Sequence, residues 1–138
     1  MSADLQWLAI RNSSSFLIRQ KQKTFSTEPQ NLMGINSYKY NGLVNKRAIG
    51  IEAAKDNKGA VMTLKTRKAK NKPASGRATF QLVRGPRRAV KAIKKTCITH
   101  HYRPDLADTA VRRVCAIYRS QKPVASVQKK RSRRKRTD

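Results

Sequence analysis

The alternation of apolar and polar residues predicts a strand pair in the middle of the chain. Ile49, Ile51 and Ala53 recur at every second position, which is the period of a strand with one buried face. Residues 56–59, with the sequence Asp-Asn-Lys-Gly, are typical of a turn. Residues 61–64 are apolar enough to return beside the first strand. These segments therefore predict a β-hairpin.

Shorter apolar segments predict further strands on both sides of this hairpin. Residues 16–18 and 24–27 are separated by a polar turn and are predicted to form a second hairpin. Residues 79–83 predict another strand, in which Phe80 and Leu82 face inward because they lie two positions apart. The chain is thus expected to contain a small antiparallel sheet built from hairpins.

Two tyrosines lie at alternate positions between the predicted hairpins. The spacing predicts that Tyr38 and Tyr40 project from one face of a strand, and the following Asn41-Gly42 is typical of a turn. Packing in the core is one interpretation of both rings, and stacking on an RNA base is the other. The sequence leaves both interpretations open.

A short helix is predicted at the beginning of the chain. Ser2 suits the position that caps a helix, and Asp4 in the first turn is favourable at the positive end of the helix dipole. Leu5, Leu8 and Trp7 are expected to supply the buried side of this helix.

Two amphipathic helices are predicted in the second half of the chain. The first opens at Gly85-Pro86, since proline is favourable at the first helical position, and the second has Pro104 in its first turn. Gln121-Lys122-Pro123 closes the second helix. Each helix has one apolar stripe at spacings of three and four, formed by Val90, Ile93 and Cys97 in the first and by Leu106, Ala110, Val114 and Ile117 in the second.

Together these elements predict an α+β fold, in which a small antiparallel sheet of hairpins packs with two or three helices. Residues 1–122 are expected to form a single RNA-binding domain whose basic loop spans residues 67–77. Residues 123–138 are expected to be a basic C-terminal extension that is disordered when free. Within it, residues 129–136 hold seven Lys or Arg in eight positions and have no apolar pattern.

The charge of the chain then narrows the class of partner. Its 138 residues include 33 Lys and Arg against 7 Asp and Glu, which gives a formal net charge of +26. From Asn57 to Pro104 there are 14 basic residues and no acidic one. Because self-repulsion of one sign destabilises a compact chain, such an excess indicates a polyanionic partner, and a nucleic-acid backbone fits best.

Residues suited to catalysis or metal binding are sparse. The adjacent His100 and His101 do not converge on one site, and the acidic residues form no paired-carboxylate motif. Together with Cys97 and Cys115, these histidines have a spacing that matches no common structural zinc site. Both cysteines lie on apolar helix stripes, where buried thiols are expected. We therefore expect no enzymatic activity, metal, cofactor or small-molecule substrate.

The sequence also bears on the compartment of the protein. Two cysteines are too few for a disulfide framework, and the first ten residues do not have the pattern of a signal peptide. No window approaches the length of apolar sequence that a membrane span needs. We therefore expect an intracellular, reduced protein with no membrane partner.

Nucleic-acid binding needs the residues that this chain has in excess. Lys and Arg that neutralise phosphates release counterions, and Arg adds bidentate contacts. The sequence has no helix-turn-helix, zinc finger or aromatic ribonucleoprotein motif, so we expect recognition of the backbone and shape of a large structured RNA. The candidate RNA-binding residues are Arg67, Lys68, Lys70, Lys72, Arg77, Arg87, Arg88, Lys91, Lys94, Lys95, Arg103, Arg112, Arg113, Lys129, Lys130, Arg131, Arg133, Arg134, Lys135 and Arg136.

Several segments of the chain resemble those of one known family. They appear in the family's order over most of residues 2–123, and the likeness is looser from residue 65 to residue 99 and in the final tail. The segments are Ser-Ala-Asp-Leu-Gln-Trp at 2–7, Ser-Ser-Phe-Leu-Ile at 14–18, Phe-Ser-Thr-Glu-Pro at 25–29, Tyr-Asn-Gly-Leu at 40–43, Tyr-Arg-Pro-Asp-Leu at 102–106 and Ala-Ile-Tyr-Arg-Ser-Gln-Lys-Pro at 116–123. The family that they resemble is the eukaryote-specific large-subunit ribosomal proteins numbered twenty-eight in the eukaryotic series.

The resemblance implies a structural constituent of the cytoplasmic large ribosomal subunit that supports translation and is not an enzyme. It implies contacts with large-subunit ribosomal RNA and with neighbouring ribosomal proteins, and no homo-oligomer is expected. Assembly requires passage through the nucleus and nucleolus, and residues 129–136 fit a nuclear import signal.

Two other functions are consistent with the same excess of positive charge. A related domain occurs in a nucleolar ribosome-biogenesis factor, but the cysteine-rich insertion of that factor is absent here, and the Tyr-Arg-Pro-Asp-Leu segment favours the ribosomal protein. A nuclear DNA-binding or chromatin protein is the other alternative. The predicted apolar core with three or more strands counts against it.

Overall fold

The elements follow the predicted order along the chain. A computed structural model describes residues 2–67, 72 and 75–123, and over those residues it has two small antiparallel sheets and three α-helices. The predicted α+β class is confirmed, although the strands form two sheets rather than one. The elements are α1 (Ala3–Ile10), β1 (Leu17–Arg19), β2 (Thr24–Ser26), β3 (Ile49–Ala53), β4 (Ala60–Lys65), β5 (Arg77–Leu82), α2 (Pro86–Lys94) and α3 (Ala107–Ser120). A π-helical turn at Lys95–Thr99 extends α2, and a 3₁₀ turn at Pro104–Leu106 precedes α3.

β3, β4 and β5 form the larger sheet in that order, and each neighbouring pair is antiparallel. Ile51 lies opposite Met62, which lies opposite Phe80, so the apolar residues of the three strands share one face of the sheet. Ile49 and Ile51 are buried, as the alternation predicts, and Met62 on β4 is buried beside them. Ala53 is exposed at the end of β3, so the buried part of this strand is shorter than predicted.

The turn between β3 and β4 depends on Gly59. Its φ of +90° lies in the left-handed region, and a Cβ at this position would lie 2.5 Å from the carbonyl oxygen of Leu82. The side chain of Gln121, just after α3, accepts a hydrogen bond from the Gly59 N–H and donates one to the Gly59 carbonyl oxygen. The end of α3 is thereby fixed to the hairpin.

The two larger helices complete the core. α2 and α3 pack against each other, and α3 also contacts β3 and β4. Pro86 begins α2, where its missing N–H leaves no donor unpaired. The apolar stripes predicted for both helices face the core, since Ile93, Cys97, Leu106, Ala110 and Val114 are buried and Val90 and Ile117 pack against them.

The N-terminal helix is present but does not bury its leucines. As predicted, the Ser2 hydroxyl caps α1 by accepting a hydrogen bond from the Leu5 N–H. Leu5 and Leu8, however, are 57% and 62% exposed, and no residue of α1 is buried. Trp7 is half-buried and packs against the ring of Tyr38, with ring centroids 5.8 Å apart. The predicted buried side of this helix is therefore wrong.

The second predicted hairpin is confirmed, because β1 and β2 pair antiparallel along their whole length. Two further predictions, the strand for the tyrosines and the burial of Cys115, are wrong, and the prediction for Phe80 gives its face correctly but not its exposure. Tyr38 and Tyr40 lie in a turn and not on a strand. Phe80 is 47% exposed, although it lies on the inward face of β5. Cys115 is exposed because it follows the buried Val114 and so lies about 100° around α3 from it.

Candidate nucleic-acid interface

α2 and its π-helical extension carry a dense group of cations on their outer side. The apolar stripe of this segment faces the core, so its five predicted RNA-binding residues are all exposed. From the first of these residues to the last the helix rises about 12 Å, and residues four positions apart lie on the same side. We call this surface the α2 basic face, and it consists of Arg87, Arg88, Lys91, Lys94 and Lys95.

Three more predicted residues surround the connection between β4 and β5. Arg67 follows β4, Arg77 begins β5, and Lys72 lies between them; all three are exposed. The Thr66 N–H donates to the carbonyl oxygen of Gly76 at 2.8 Å, which holds the two ends of the connection together. Arg67 and Arg77 each follow one member of this pair, so the fold brings the two ends of the predicted basic loop together.

Apart from Arg103, the remaining predicted residues divide between α3 and the part of the chain that is not described. Arg112 and Arg113 are exposed on α3, next to its buried stripe. Of the predicted extension, residues 123–138, only Pro123 is described. The predicted RNA-binding residues outside the described ranges are Lys68, Lys70, Lys129, Lys130, Arg131, Arg133, Arg134, Lys135 and Arg136.

Among the predicted residues that the structure describes, Arg103 is the one whose guanidinium group is hydrogen-bonded within the chain. It donates to both carboxylate oxygens of Asp105, at 3.0 and 2.8 Å. It also donates to the carbonyl oxygens of Arg47 and Lys39, at 3.0 and 2.8 Å. The hydrogen bonds from Arg103 lower the pKa of Asp105. The structure thus shows Arg103 tying three segments together, and the phosphate contact expected there stays a prediction.

Lys65 is a second cation that is engaged inside the fold. Burial lowers the pKa of Lys65, and the nearby charge of Arg77 lowers it further. The Nζ atom of Lys65 donates, at 3.1, 2.9 and 3.0 Å, to the carbonyl oxygens of Gly42, Leu43 and Asn45. These acceptors lie 20 to 23 positions earlier in the chain, so no local sequence pattern could have identified Lys65 as a structural cation.

Glu28 is a buried acidic residue in this basic chain. Glu28 is only 5% exposed, and its Oε1 atom accepts a hydrogen bond from the side-chain amide of Asn31 at 2.8 Å. Burial raises the pKa of Glu28, and hydrogen bonds from Asn31, Gly42 and Ser26 oppose that shift. One of the seven acidic side chains is therefore withdrawn from the surface, which leaves cations still more dominant there.

The residues considered as a zinc set are not brought together. Cys97 is fully buried, and burial raises the pKa of its thiol, whereas His100, His101 and Cys115 are exposed. Within residues 2–67, 72 and 75–123, no three His, Cys, Asp or Glu side chains are grouped so as to hold a metal ion. No helix in the described part of the chain combines the length and apolar character needed to cross a bilayer.

The α+β fold and the α2 basic face together place the protein in the class of small, strongly basic proteins whose exposed cations suit a polyanionic partner. Residues 5–120 match the model of the ribosomal L28e protein family. The chain is 41% identical over 131 residues to the large ribosomal subunit protein eL28 of Caenorhabditis elegans, covering 94% of this chain and 98% of that protein. Proteins of the same name in Schizosaccharomyces pombe and Dictyostelium discoideum are 33% and 32% identical, over 92% and 97% of this chain and 98% and 97% of theirs. The chain belongs to the ribosomal L28e protein family.

Proposed function

We propose that the protein is a structural constituent of the cytoplasmic large ribosomal subunit, where it binds large-subunit ribosomal RNA and supports translation. The observation that carries this proposal is its similarity, along nearly the whole chain, to proteins named large ribosomal subunit protein eL28. The α2 basic face supplies the chemistry that such a role needs. The role is one of binding and assembly, with no catalytic step.

Phosphate oxygens are the proposed ligands of the α2 basic face. Its five cations are exposed, and among the described residues only Arg103 forms an ion pair with a carboxylate. Exposed Lys and Arg side chains exchange condensed counterions for phosphates, so affinity rises with the number of contacts and falls steeply with salt. Arg67, Arg77, Arg112 and Arg113 extend the same chemistry beyond α2.

The interface is expected to recognise the backbone and shape of the RNA and not its sequence. The cations of the α2 basic face lie on a helix whose other side is packed in the core at Ala89, Ile93 and Cys97. This packing fixes the spacing of the cations, since a buried stripe prevents the helix from rotating. A fixed set of charges matches one arrangement of phosphates better than others, so a folded RNA is selected by its geometry.

Neighbouring ribosomal proteins are the proposed partners of the N-terminal end of the fold. α1 contains no Lys or Arg, and it exposes Leu5 and Leu8 on a helix with no buried residue. An apolar surface without cations suits the apolar centre of a protein interface better than it suits phosphates. The protein is therefore proposed to contact RNA and protein through different surfaces.

We further propose that residues 1–122 form one RNA-binding domain and that residues 123–138 add a basic extension that contacts RNA. The seven cations of residues 129–136 give this extension a charge density that favours phosphates over solvent ions. The proposed site of action is the cytoplasmic ribosome, reached after passage through the nucleus and nucleolus during assembly.

Competition between RNA and DNA tests this proposal. Purified full-length protein is titrated with deproteinised large-subunit ribosomal RNA in the presence of duplex DNA at equal nucleotide concentration, across a series of salt concentrations. We expect preferential binding to the RNA and a linear fall of the logarithm of affinity with the logarithm of salt concentration. Equal or tighter binding to DNA would support the chromatin interpretation and contradict the proposal.

A further inference from the structure

We propose that Phe80 is a stacking platform for an unpaired base of ribosomal RNA, which adds a base contact to an interface otherwise directed at phosphates. This inference rests on the proposed function. Phe80 lies in the middle of β5 and is 47% exposed. Met62, directly opposite it on β4, and Leu82, two positions further along β5, are only 3% and 8% exposed. The ring therefore protrudes from a strand whose neighbouring apolar positions are covered.

The position of the helices accounts for this exposure. β5 is an edge strand, since the sheet has the order β3, β4, β5. α3 packs over β3 and β4, and the Tyr118 hydroxyl of α3 donates to the carbonyl oxygen of Leu82 at the end of β5. The helix thus reaches the end of β5 and leaves the ring of Phe80, two residues earlier, partly uncovered. The open edge of the strand gives a ligand lateral access to this ring.

The charge around Phe80 indicates the class of ligand. Arg84 follows the strand and is exposed. Arg77, about 10 Å before Phe80 along the strand, is also exposed, although three positions along a strand place it on the opposite face of the sheet. Phe80 also lies within the stretch from Asn57 to Pro104 that contains no acidic residue. The ligand should therefore combine an apolar face with negative charge. A nucleotide base attached to its phosphate has both, and every base has a π face that stacks on an aromatic ring.

The other aromatic rings of the described chain are packed against another ring, hydrogen-bonded within the fold or half-buried. Tyr38 packs against Trp7, and a hydrogen bond to Asp4 raises the pKa of Tyr38. The hydroxyl of Tyr102 hydrogen-bonds the Lys65 carbonyl oxygen at 2.6 Å, and the remaining rings, Phe16, Phe25, Tyr40 and Tyr118, are half-buried. Phe80 and Tyr38 are the most exposed aromatic residues in the described ranges, at 47% and 38%, and of these two only Phe80 has no aromatic partner.

Two RNAs of equal nucleotide count separate stacking from phosphate binding. One is a hairpin with a loop of unpaired adenosines, and the other is a blunt, fully paired duplex. Phe80→Leu in the full-length protein should weaken binding to the hairpin by about 5- to 150-fold, the range for loss of one base–aromatic stack. It should leave duplex affinity and both salt slopes unchanged. Phe80→Trp should keep hairpin affinity, and Val83→Ala should leave both affinities unchanged, since Val83 is an exposed apolar residue without a ring.

A second measurement does not depend on the stability of Phe80→Leu. The emission of Phe80→Trp, after subtraction of the Trp7 signal of the parent, should be quenched by the hairpin and not by the duplex. An equal loss of affinity for both RNAs in Phe80→Leu, unchanged hairpin affinity, or absence of quenching would each overturn the stacking role. Failure of the parent protein to bind either RNA would instead overturn the proposed function, so the two failures are distinguishable.

Discussion

The Nζ atom of Lys65 lies 2.9 Å from the carbonyl oxygen of Leu43, and it reaches two further carbonyl oxygens in the same loop. This ammonium group therefore holds the loop against the end of β4. Arg103 similarly donates to the carbonyl oxygens of Arg47 and Lys39. In this basic chain, Lys65 and Arg103 fix loops within the fold, while the cations of the α2 basic face are exposed.

Replacing Lys65 by Met should lower the free energy of unfolding by about 2 kcal/mol, because three carbonyl oxygens lose a charged donor. Denaturant unfolding measures this loss. Lys91→Met is the matched control, since Lys91 is exposed on the α2 basic face and its replacement should change stability by less than about 0.5 kcal/mol. Equal stability of the two variants would contradict a structural role for Lys65.

Asp105 should make stability depend on acid pH. Hydrogen bonds from Arg103 lower its pKa below 3.8, so its contribution is present above 3.8 and is lost as pH falls through the folded-state pKa. Asp105→Asn should therefore destabilise the protein at neutral pH, by about 1 kcal/mol or less because the carboxylate is 39% exposed. Urea unfolding across the acid range should show this difference vanishing. A difference that persists undiminished in strong acid would argue against the ion pair as its source.

Glu28 should produce the opposite trend. Burial raises its pKa above 4.5, so its contribution to stability is complete below 4.5 and is lost as pH rises through the folded-state pKa. Gln at this position stays neutral, so the stability of Glu28→Gln relative to the parent should rise from acid to neutral pH. Glu52→Gln, at an exposed position of β3, is the control and should show no such rise. A fall with pH in Glu28→Gln would mean that hydrogen bonds to the carboxylate outweigh its burial.

The α2 basic face should determine the salt dependence of RNA binding. Replacing Arg87, Lys91 and Lys95 by Gln removes three proposed phosphate contacts, which should reduce the slope of log affinity against log salt by about 2 to 3. Stability should change little because all three residues are exposed. Filter binding at several salt concentrations measures the slope.

A matched control removes the same charge from another part of the surface. Arg19, Lys21 and Lys23 lie at the end of β1 and in the turn before β2, are exposed, and are not among the predicted RNA-binding residues. Replacing these three by Gln should reduce the slope much less than the α2 triple variant does. Equal reductions in the two variants would mean that net charge, and not the α2 basic face, directs binding.

Sequence patterns predicted those elements whose formation depends on local order. The β3–β4 hairpin follows from alternation plus an Asp-Asn-Lys-Gly turn, and both stripes of α2 and α3 follow from helical spacing. The cations of the α2 basic face are exposed for the same reason, since they lie between the buried positions of an amphipathic helix.

The side chains that sequence reasoning misplaced depend on contacts between distant segments. Leu5 and Leu8 have the spacing of a buried stripe, yet both remain exposed in the folded chain. Phe80 alternates correctly with Leu82, but the helices reach only the end of the edge strand. The role of Lys65 has no sequence signal because its acceptors lie 20 or more positions away. Local periodicity gives the face of an element and does not give what covers that face.

Sedimentation of the endogenous protein through a sucrose gradient tests the proposed function most directly. The protein should co-migrate with large subunits and polysomes, remain there in moderate salt, and leave those fractions after ribonuclease treatment. Recovery only in nuclear precursor particles would instead support a biogenesis factor. Recovery with chromatin, insensitive to ribonuclease, would contradict both ribosomal interpretations.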